Sequence, residues 1–199
     1  MRTVVLASTS PYRRELLRQL RIPYTCAAPR FKESIVQDVA PELLVKHQAQ
    51  QKALSLRDDY PAALIIGSDQ VFVDARGRTL GKAGTPALAI KQLTAMSGKT
   101  HTFFTGLAVV DAATGRCETG FTTFAVTLRT LSESAIADYV ARENPVDCAG
   151  SFKIEGLGIA LMEKLAGDDY TALIGLPLIK LVTLLAEFDY HLLGGSPAS

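Results

Sequence analysis

The chain has little of the side-chain chemistry that builds disulfide frameworks, zinc sites and nucleophilic triads. It has no tryptophan, and only three cysteines and three histidines in 199 residues. An odd number of widely separated cysteines argues against a disulfide framework and against a zinc site, so we expect buried thiols. The histidines have no spacing typical of a metal pair, and we assign them no chemistry. These six residues are scattered along the chain: Cys26, Cys117, Cys148, His47, His101 and His191.

Charge of one sign and long apolar runs are also lacking. The formal net charge is +1, so nothing draws the whole molecule toward nucleic acid or an anionic membrane, and any anion site has to be local. Residues 1–3 lead into a short apolar segment without the run of a signal peptide, and no stretch approaches the length of a membrane span. We therefore expect a cytoplasmic protein with neither a nucleic-acid nor a membrane partner.

Helical and strand patterns alternate along the chain, which predicts an α/β protein. No repeat, low-complexity segment or linker divides the sequence, and we expect a single domain over residues 1–199. Strands are predicted at 4–6, 24–28, 63–66, 70–73, 102–110 and 118–128, of which the last two should form a β-hairpin. Helices are predicted from Pro11, over 41–56, between Thr85 and Gly98, over 132–142 and over 176–187.

The turn "ASTSPYRR" follows the first apolar strand and begins the first helix. Ser10 before Pro11 is typical of an N-cap with proline at the first helical position, which by itself describes a plain helix start. Arg13 and Arg14 oppose the helix dipole, which favours negative charge in this turn. Backbone N–H groups, the Ser8 hydroxyl and guanidinium groups at a helix N-terminus are what an anion needs. Both interpretations stay open on these residues alone.

Two charged residues stand beside apolar neighbours. Lys52 lies on the same helical stripe as Val45, Ala49 and Ala53, and a buried ammonium needs a partner or a ligand, although a stem that reaches water would also explain it. Asp69 in "IIGSDQV" follows an apolar run. Strand ends in α/β sheets open into ligand crevices, where a carboxylate can act as a base or hold a cation. A turn aspartate that bonds its own backbone is the alternative.

Loop residues complete the set of charged groups. Glu33 in "FKES" and Lys82 in "LGKAGTP" are each also explained by simple solvation. In "SFKIEGLGI", Lys153 and Glu155 would share one face if the segment were extended. Cations and carboxylates without a nucleophilic triad favour phosphate chemistry assisted by a divalent metal, because cations neutralise polyphosphate and a carboxylate positions water. The P-loop and dinucleotide glycine motifs are absent from the sequence.

The order and spacing of these motifs resemble the Maf family of nucleoside triphosphate pyrophosphatases, from Val4 to about Pro177. The matching segments are "LASTSPYRRELL", Glu33, Lys52, "IIGSDQV", "GK" at 81–82, "SGKTHTFFTGLAV" and "CAGSFKIEGLGI". The resemblance implies the α/β fold of inosine triphosphate pyrophosphatases, an elongated mixed sheet flanked by helices, with two lobes and a central cleft. It also implies a cytoplasmic enzyme that cleaves between the α- and β-phosphates with a divalent cation, Mg²⁺ or Mn²⁺. A homodimer fits the family and the apolar C-terminal helix, but a core helix would look the same.

The resemblance also implies roles for individual residues. Asp69 matches the proton acceptor and, with Glu33, is expected to hold the metal. Lys52 and Lys82 are expected to stabilise charge on the departing pyrophosphate. Ala83 departs from the family pattern, which has proline at this position, and the Lys82 loop loses a rigid residue. The expected substrate-binding residues are Ser8, Ser10, Tyr12, Arg13, Arg14, Gln70 and Glu155.

Three of these positions bear on the substrate. Where the dTTP/UTP subgroup tends to have arginine, threonine and glutamine, this chain has Tyr12, Gln70 and Glu155, which resembles the subgroup acting on 7-methyl-GTP. The 7-methylguanine base is cationic, so stacking on Tyr12 would gain roughly 0.5–2 kcal/mol. Glu155 can accept hydrogen bonds from the base and offset its charge. We expect a 7-methyl-GTP pyrophosphatase that removes a modified nucleotide; the alternatives are a dTTP/UTP pyrophosphatase and a nucleotide-binding regulator without turnover.

Overall fold

The structure is a computed structural model that describes residues 2–32 and 39–194. Its strands are β1 (Val4–Ala7), β2 (Tyr24–Ala27), β3 (Leu64–Val73), β4 (Thr79–Leu80), β5 (Thr100–Asp111), β6 (Cys117–Leu128) and β7 (Met162–Ala166). Its helices are α1 (Pro11–Arg18), α2 (Pro41–Leu54), α3 (Pro86–Met96), α4 (Glu133–Glu143), α5 (Tyr170–Ile174) and α6 (Leu178–Ala186), with a 3₁₀ helix at Leu157–Leu161.

The strands form one mixed sheet in the order β2-β1-β3-β5-β6-β7, with β4 paired to β3. β1 lies parallel to both β2 and β3, whereas β4 on β3 and β7 on β6 are antiparallel. The predicted α/β class with a mixed sheet is confirmed. Within the described residues, no helix is both long enough and apolar enough to cross a membrane.

The chain divides into two compact units. Unit 1 comprises Met1–Gln70, Thr105–Thr122 and Gly175–Ser199, and unit 2 comprises Val71–Phe104 and Thr123–Ile174. Strands β3, β5 and β6 each contribute residues to both. The expectation of one domain over residues 1–199 stays a prediction.

The core of unit 1 brings α2 against the sheet at two glycines. A Cβ on Gly67 would lie 2.0 Å from the carbonyl oxygen of Ala49, and one on Gly106 would lie 2.2 Å from that of Val45. Only glycine permits this approach. The sequence analysis predicted separate strands at 63–66 and 70–73, but β3 runs unbroken through Gly67, whose missing side chain makes room for α2. The close approach fixes Lys52 of α2 beside β3.

Unit 2 has an aromatic core with two well-capped helices around it. The ring centroid of Phe72 lies 4.7 Å from that of Phe103 and 6.1 Å from that of Phe152. The side chain of Thr85 accepts a hydrogen bond at the start of α3, and that of Ser132 does so at the start of α4. The predicted starts of both helices are therefore confirmed.

Three short elements of unit 2 were not expected from the sequence, and a fourth segment does not meet the condition set for it there. β4, β7 and α5 were not predicted, since two to five residues give too little periodicity to recognise. The segment over 151–158 is not an extended strand. It turns at 154–156 and enters the 3₁₀ helix, so the strand geometry that would have placed Lys153 and Glu155 on one face does not occur.

Candidate active site

The turn between β1 and α1 is built by its own hydroxyl groups. The backbone N–H of Ser10 donates to the Ser8 side-chain oxygen at 3.1 Å, and the N–H of Arg13 donates to the Ser10 side-chain oxygen at 3.4 Å. Ser10 is thus the N-cap, as predicted, with Pro11 at the first helical position. The first turn of α1 carries no acidic residue. The helix start is confirmed, and the anion site stays a prediction.

The side chains that follow differ in exposure. Tyr12 and Arg13 are half-buried, whereas Arg14 is exposed, and its carbonyl accepts a hydrogen bond from the Tyr24 hydroxyl at 2.8 Å. The Nε of Arg13 donates to the carbonyl of Gly175 at 2.8 Å. The guanidinium of Arg13 is therefore anchored to the segment before α6.

Lys52 and Asp69 form a buried ion pair. The Nζ of Lys52 lies 2.6 Å from Oδ1 of Asp69, and the two side chains are only 3% and 6% exposed. The same ammonium donates to the carbonyl of Ser68 at 3.2 Å. Lys52 therefore does not extend to water, and its predicted need for a partner is met by the carboxylate. Asp69 lies inside β3 and is not a turn residue.

Ser68 connects this pair to the Arg13 anchor. Its hydroxyl, fully buried, lies 2.8 Å from the carbonyl oxygen of Gly175 and 3.0 Å from that of Gly106. Gly175 has a φ of +116°, a conformation that favours glycine. Its carbonyl thus accepts hydrogen bonds from both Arg13 and Ser68.

Gln70 lies next to Gly175. Its Nε2 donates to the Thr105 hydroxyl oxygen at 3.0 Å. A Cβ on Gly175 would lie 3.8 Å from Oε1 of Gln70 and 3.4 Å from Nε of Arg13. Sequence reasoning missed Ser68, Thr105 and Gly175. Of these three, only Ser68 had a signal in the sequence, its position next to Asp69. Gly175 acts through its backbone carbonyl, and Thr105 lies on β5, far from Gln70 in the sequence.

Lys82 and Glu155 belong to unit 2, whereas the residues described above belong to unit 1. Lys82 is exposed, and its backbone forms an antiparallel bridge with Ala149. The N–H of Gly84 donates to the carbonyl of Val146 at 2.9 Å. Backbone pairing therefore holds this loop although Ala83 replaces the family's proline. Glu155 is exposed in the turn at 154–156. Glu33 lies outside the described residues.

The three cysteines are free and half-buried, so they are less buried than the sequence analysis expected. Burial raises the pKa of Cys148 to about 12 and also raises that of Cys117. Both thiols therefore remain protonated near neutral pH, and a cysteine nucleophile is disfavoured at these two positions.

The described residues contain no group of three or more histidine, cysteine or carboxylate side chains suited to a metal. Asp69 does supply the hard oxygen donors that Mg²⁺ and Mn²⁺ prefer. Mg²⁺ in nucleotide enzymes is commonly held by one or two carboxylates together with substrate phosphates, and the residues fit a site of that kind.

Comparison with known proteins gives the family. The profile described as "Maf-like protein" matches residues 3–188. The chain belongs to the Maf family. Among curated Maf relatives, the "7-methyl-GTP pyrophosphatase" of Syntrophotalea carbinolica is 62% identical over 194 residues, covering 98% of each chain. The protein of the same name from Pseudomonas aeruginosa is 49% identical over 187 residues, covering 94% of this chain and 97% of the relative.

Solved structures match the Maf chain more weakly. A HAM1 protein from Coxiella burnetii aligns with a TM-score of 0.44 at 17% identity, over 64% of this chain and 73% of that one. A nucleoside-triphosphatase, dITP/XTP pyrophosphatase, from Mycobacterium abscessus aligns with a TM-score of 0.42 at 16% identity, over 65% and 75%. Membership of the Maf family rests on the sequence comparisons alone.

Proposed function

We propose that this Maf protein is a nucleoside triphosphate pyrophosphatase that hydrolyses 7-methyl-GTP to 7-methyl-GMP and pyrophosphate. The observation that carries the proposal is the 62% identity, over 98% of both chains, to a protein named for this activity. The buried pair of Lys52 and Asp69 supports the catalytic part. An ion pair that costs desolvation energy is better explained by chemistry than by stability.

In the proposed reaction, Asp69 acts as general base on the attacking water. The water oxygen bonds to the α-phosphorus and its proton passes to the Asp69 carboxylate. The bond from the α-phosphorus to the bridging oxygen breaks, and pyrophosphate leaves with the electron pair. Lys52 holds the carboxylate in position, since its ammonium is bonded to Oδ1 of Asp69 and to the Ser68 carbonyl.

The triphosphate is proposed to bind at the start of α1. Ser8, Ser10, Arg13 and Arg14 supply hydroxyl and guanidinium groups at a helix N-terminus, a position suited to anions. The hydrogen bond from Nε of Arg13 to Gly175 supports this role, because it fixes the guanidinium before substrate arrives. Lys52 and Lys82 are proposed to offset the charge that builds on the departing pyrophosphate.

A divalent cation, Mg²⁺ or Mn²⁺, is proposed as cofactor, with Asp69 and Glu33 as its protein ligands. When bound, such a cation neutralises phosphate charge and polarises the phosphoryl group. The acid–base step is assigned to the Asp69 side chain, and the guanidinium of Arg13 is held by the Gly175 carbonyl.

The base is proposed to be recognised by three residues. Tyr12 would stack on the cationic 7-methylguanine ring. Glu155, exposed in its turn, would accept hydrogen bonds from the ring N–H and the exocyclic amine. Gln70, held by the Thr105 hydroxyl, would border the same substrate.

We further propose that the enzyme is cytoplasmic and acts on free nucleotide as a homodimer, with neither nucleic acid nor membrane as a partner. The net charge of +1 supports the proposal that neither nucleic acid nor a membrane is a partner. Ile179 and Val182, 64% and 38% exposed on α6, offer apolar surface for self-association. Light scattering coupled to size-exclusion chromatography would measure the mass in solution, and a monomer of 21.4 kDa would refute the dimer.

Pyrophosphate release tests the proposed activity. Purified protein is assayed with Mg²⁺ or Mn²⁺ on 7-methyl-GTP, GTP, dTTP, UTP and CTP. We expect preference for 7-methyl-GTP, and loss of turnover in Asp69→Asn with an unchanged circular dichroism spectrum. Asp58→Asn, an exposed carboxylate of unit 1, is the matched control and should keep full activity. Preference for dTTP or UTP would favour the other subgroup, and binding without cleavage of any nucleotide would favour a regulator.

A further inference from the structure

The segment that carries Glu155 is irregular, yet it is held in place. The Ser151 hydroxyl, fully buried, donates to the side-chain carbonyl of Gln92 at 2.5 Å. The N–H of Gly158 donates to the Lys153 carbonyl at 3.0 Å and closes the turn around Glu155. A carboxylate on such a turn can select a base only if the backbone on both sides of it is fixed, since recognition requires placement to within about 0.5 Å.

Helix α4 supplies a hydrogen bond on each side of Glu155. Two residues before it, the N–H of Lys153 donates to the Tyr139 hydroxyl oxygen at 3.0 Å. Two residues after it, the N–H of Leu157 donates to Oε2 of Glu143 at 2.8 Å. Tyr139 and Glu143 are four residues apart and therefore lie on one face of the helix. That face of α4 therefore accepts a hydrogen bond from the backbone at each end of the turn.

The Glu143 carboxylate is seated directly against the residue that follows Glu155. A Cβ on Gly156 would lie 2.9 Å from each of the two Glu143 carboxylate oxygens. Glycine at this position is what allows the carboxylate to reach the Leu157 N–H. The Nζ of Lys153 also donates to the Glu143 carbonyl at 3.3 Å. Glu143 is thus tied to the turn through both its side chain and its backbone.

From this geometry we propose that Glu143, assisted by Tyr139, is a positioning residue for base selectivity: it holds the turn that presents Glu155 and does not itself touch the nucleotide. The proposal rests on the proposed role of Glu155 as acceptor for the base. Loss of the Glu143 carboxylate would leave the Leu157 N–H unpaired and let the turn move, so the 7-methylguanine base would lose its oriented acceptor while phosphate chemistry in unit 1 continued.

The test compares kcat/KM for 7-methyl-GTP with kcat/KM for GTP in five variants of the full chain. Glu143→Ala should reduce this ratio about tenfold, the effect of losing one hydrogen bond to a charged group. Glu143→Gln keeps an acceptor for the Leu157 N–H and should restore the ratio. Tyr139→Phe, which keeps the ring and removes the other acceptor, should lower the ratio as well. Asp138→Asn removes a carboxylate that is 65% exposed on the same helix, and it should match the wild type.

Glu155→Gln separates failure of this inference from failure of the proposed function. If Glu155→Gln loses selectivity and both Glu143→Ala and Tyr139→Phe keep it, the positioning role is refuted and base recognition stands. If Glu155→Gln keeps the wild-type ratio, the positioning role of Glu143 and the recognition of the base by Glu155 are both refuted. A merely structural role for Glu143 would lower kcat/KM for the two nucleotides equally, and an unchanged ratio would overturn the proposal. If Glu143→Ala does not fold, Tyr139→Phe decides by the same ratio.

Discussion

Replacement of Lys52 by methionine should destabilise the protein more than a surface substitution of the same kind. Methionine keeps most of the volume of the stem and removes the ammonium. The Asp69 carboxylate, 6% exposed, would lose a partner at 2.6 Å, and the carbonyl of Ser68 would lose a donor at 3.2 Å. A buried carboxylate deprived of its counter-ion is among the most costly defects that one substitution can introduce.

The expected loss is about 3–5 kcal/mol in the free energy of unfolding, the range measured when one member of a buried ion pair is removed. An exposed pair gives the scale for comparison. Asp138 and Arg142 on α4 are 65% and 62% exposed and lie 3.3 Å apart. Water screens that pair, so its coupling should be only about 0.3–0.5 kcal/mol.

Urea unfolding at pH 7 of both double-mutant cycles measures these quantities. One cycle uses Lys52→Met with Asp69→Asn, and the other uses Arg142→Met with Asp138→Asn. In each variant, the slope of the unfolding free energy against urea concentration should stay constant while the midpoint shifts, which shows that the stability itself has changed. A coupling energy below about 1 kcal/mol for the buried pair, or one equal to that of the surface pair, would refute the conclusion that Lys52 and Asp69 depend on one another.

Three further predictions follow from single contacts. Burial lowers the pKa of His101 below its usual value of 6.5, so the unfolded chain takes up a proton at a higher pH than the folded chain does. Stability should therefore fall as pH drops below about 6.5, and His101→Phe should flatten this dependence in pH-resolved unfolding. Gly67→Ala should cost at least about 2 kcal/mol in thermal or urea unfolding, because the new Cβ would lie 2.0 Å from the Ala49 carbonyl oxygen; a wild-type Tm would contradict the close approach of α2. Ser68→Ala should cost about 1–2 kcal/mol and raise KM more than it lowers kcat, since the hydroxyl supports the anchor of Arg13; steady-state kinetics with an unchanged KM would contradict this.

Local signals in the sequence were sufficient to place several elements. Ser10, Thr85 and Ser132 each combine a capping side chain with a helix-forming run, and each begins the helix that it was expected to begin. The helical stripe around Lys52 likewise indicated a buried face, because periodicity identifies which side of a helix packs inward. A polar partner was one of two interpretations of that lysine, and its 3% exposure excludes the other, a stem that reaches water.

Contacts over long sequence separations and contacts to backbone atoms were not predictable. Ser68 and Gly175 are 107 residues apart in the sequence. The Ser68 hydroxyl bonds to the backbone carbonyl of Gly175, and no pattern of side chains in the sequence indicates such an acceptor. The turn around Glu155 was left open for a related reason. The alternation of Lys153 and Glu155 was compatible with an extended segment as well as with a loop, and the contact that holds the turn, the Glu143 carboxylate against Gly156, comes from another helix.

The double variant Lys52→Met/Asp69→Asn should separate stability from catalysis. Replacing a buried ion pair by neutral side chains of similar size is often neutral or stabilising, because the desolvation penalty of both charges disappears. We therefore expect the double variant to unfold at the same urea concentration as the wild type or a higher one, and to release no pyrophosphate. If it proved as unstable as Lys52→Met alone, the pair would be a structural element of unit 1. If it kept turnover, Asp69 would not be the base, because an amide cannot take the proton from water.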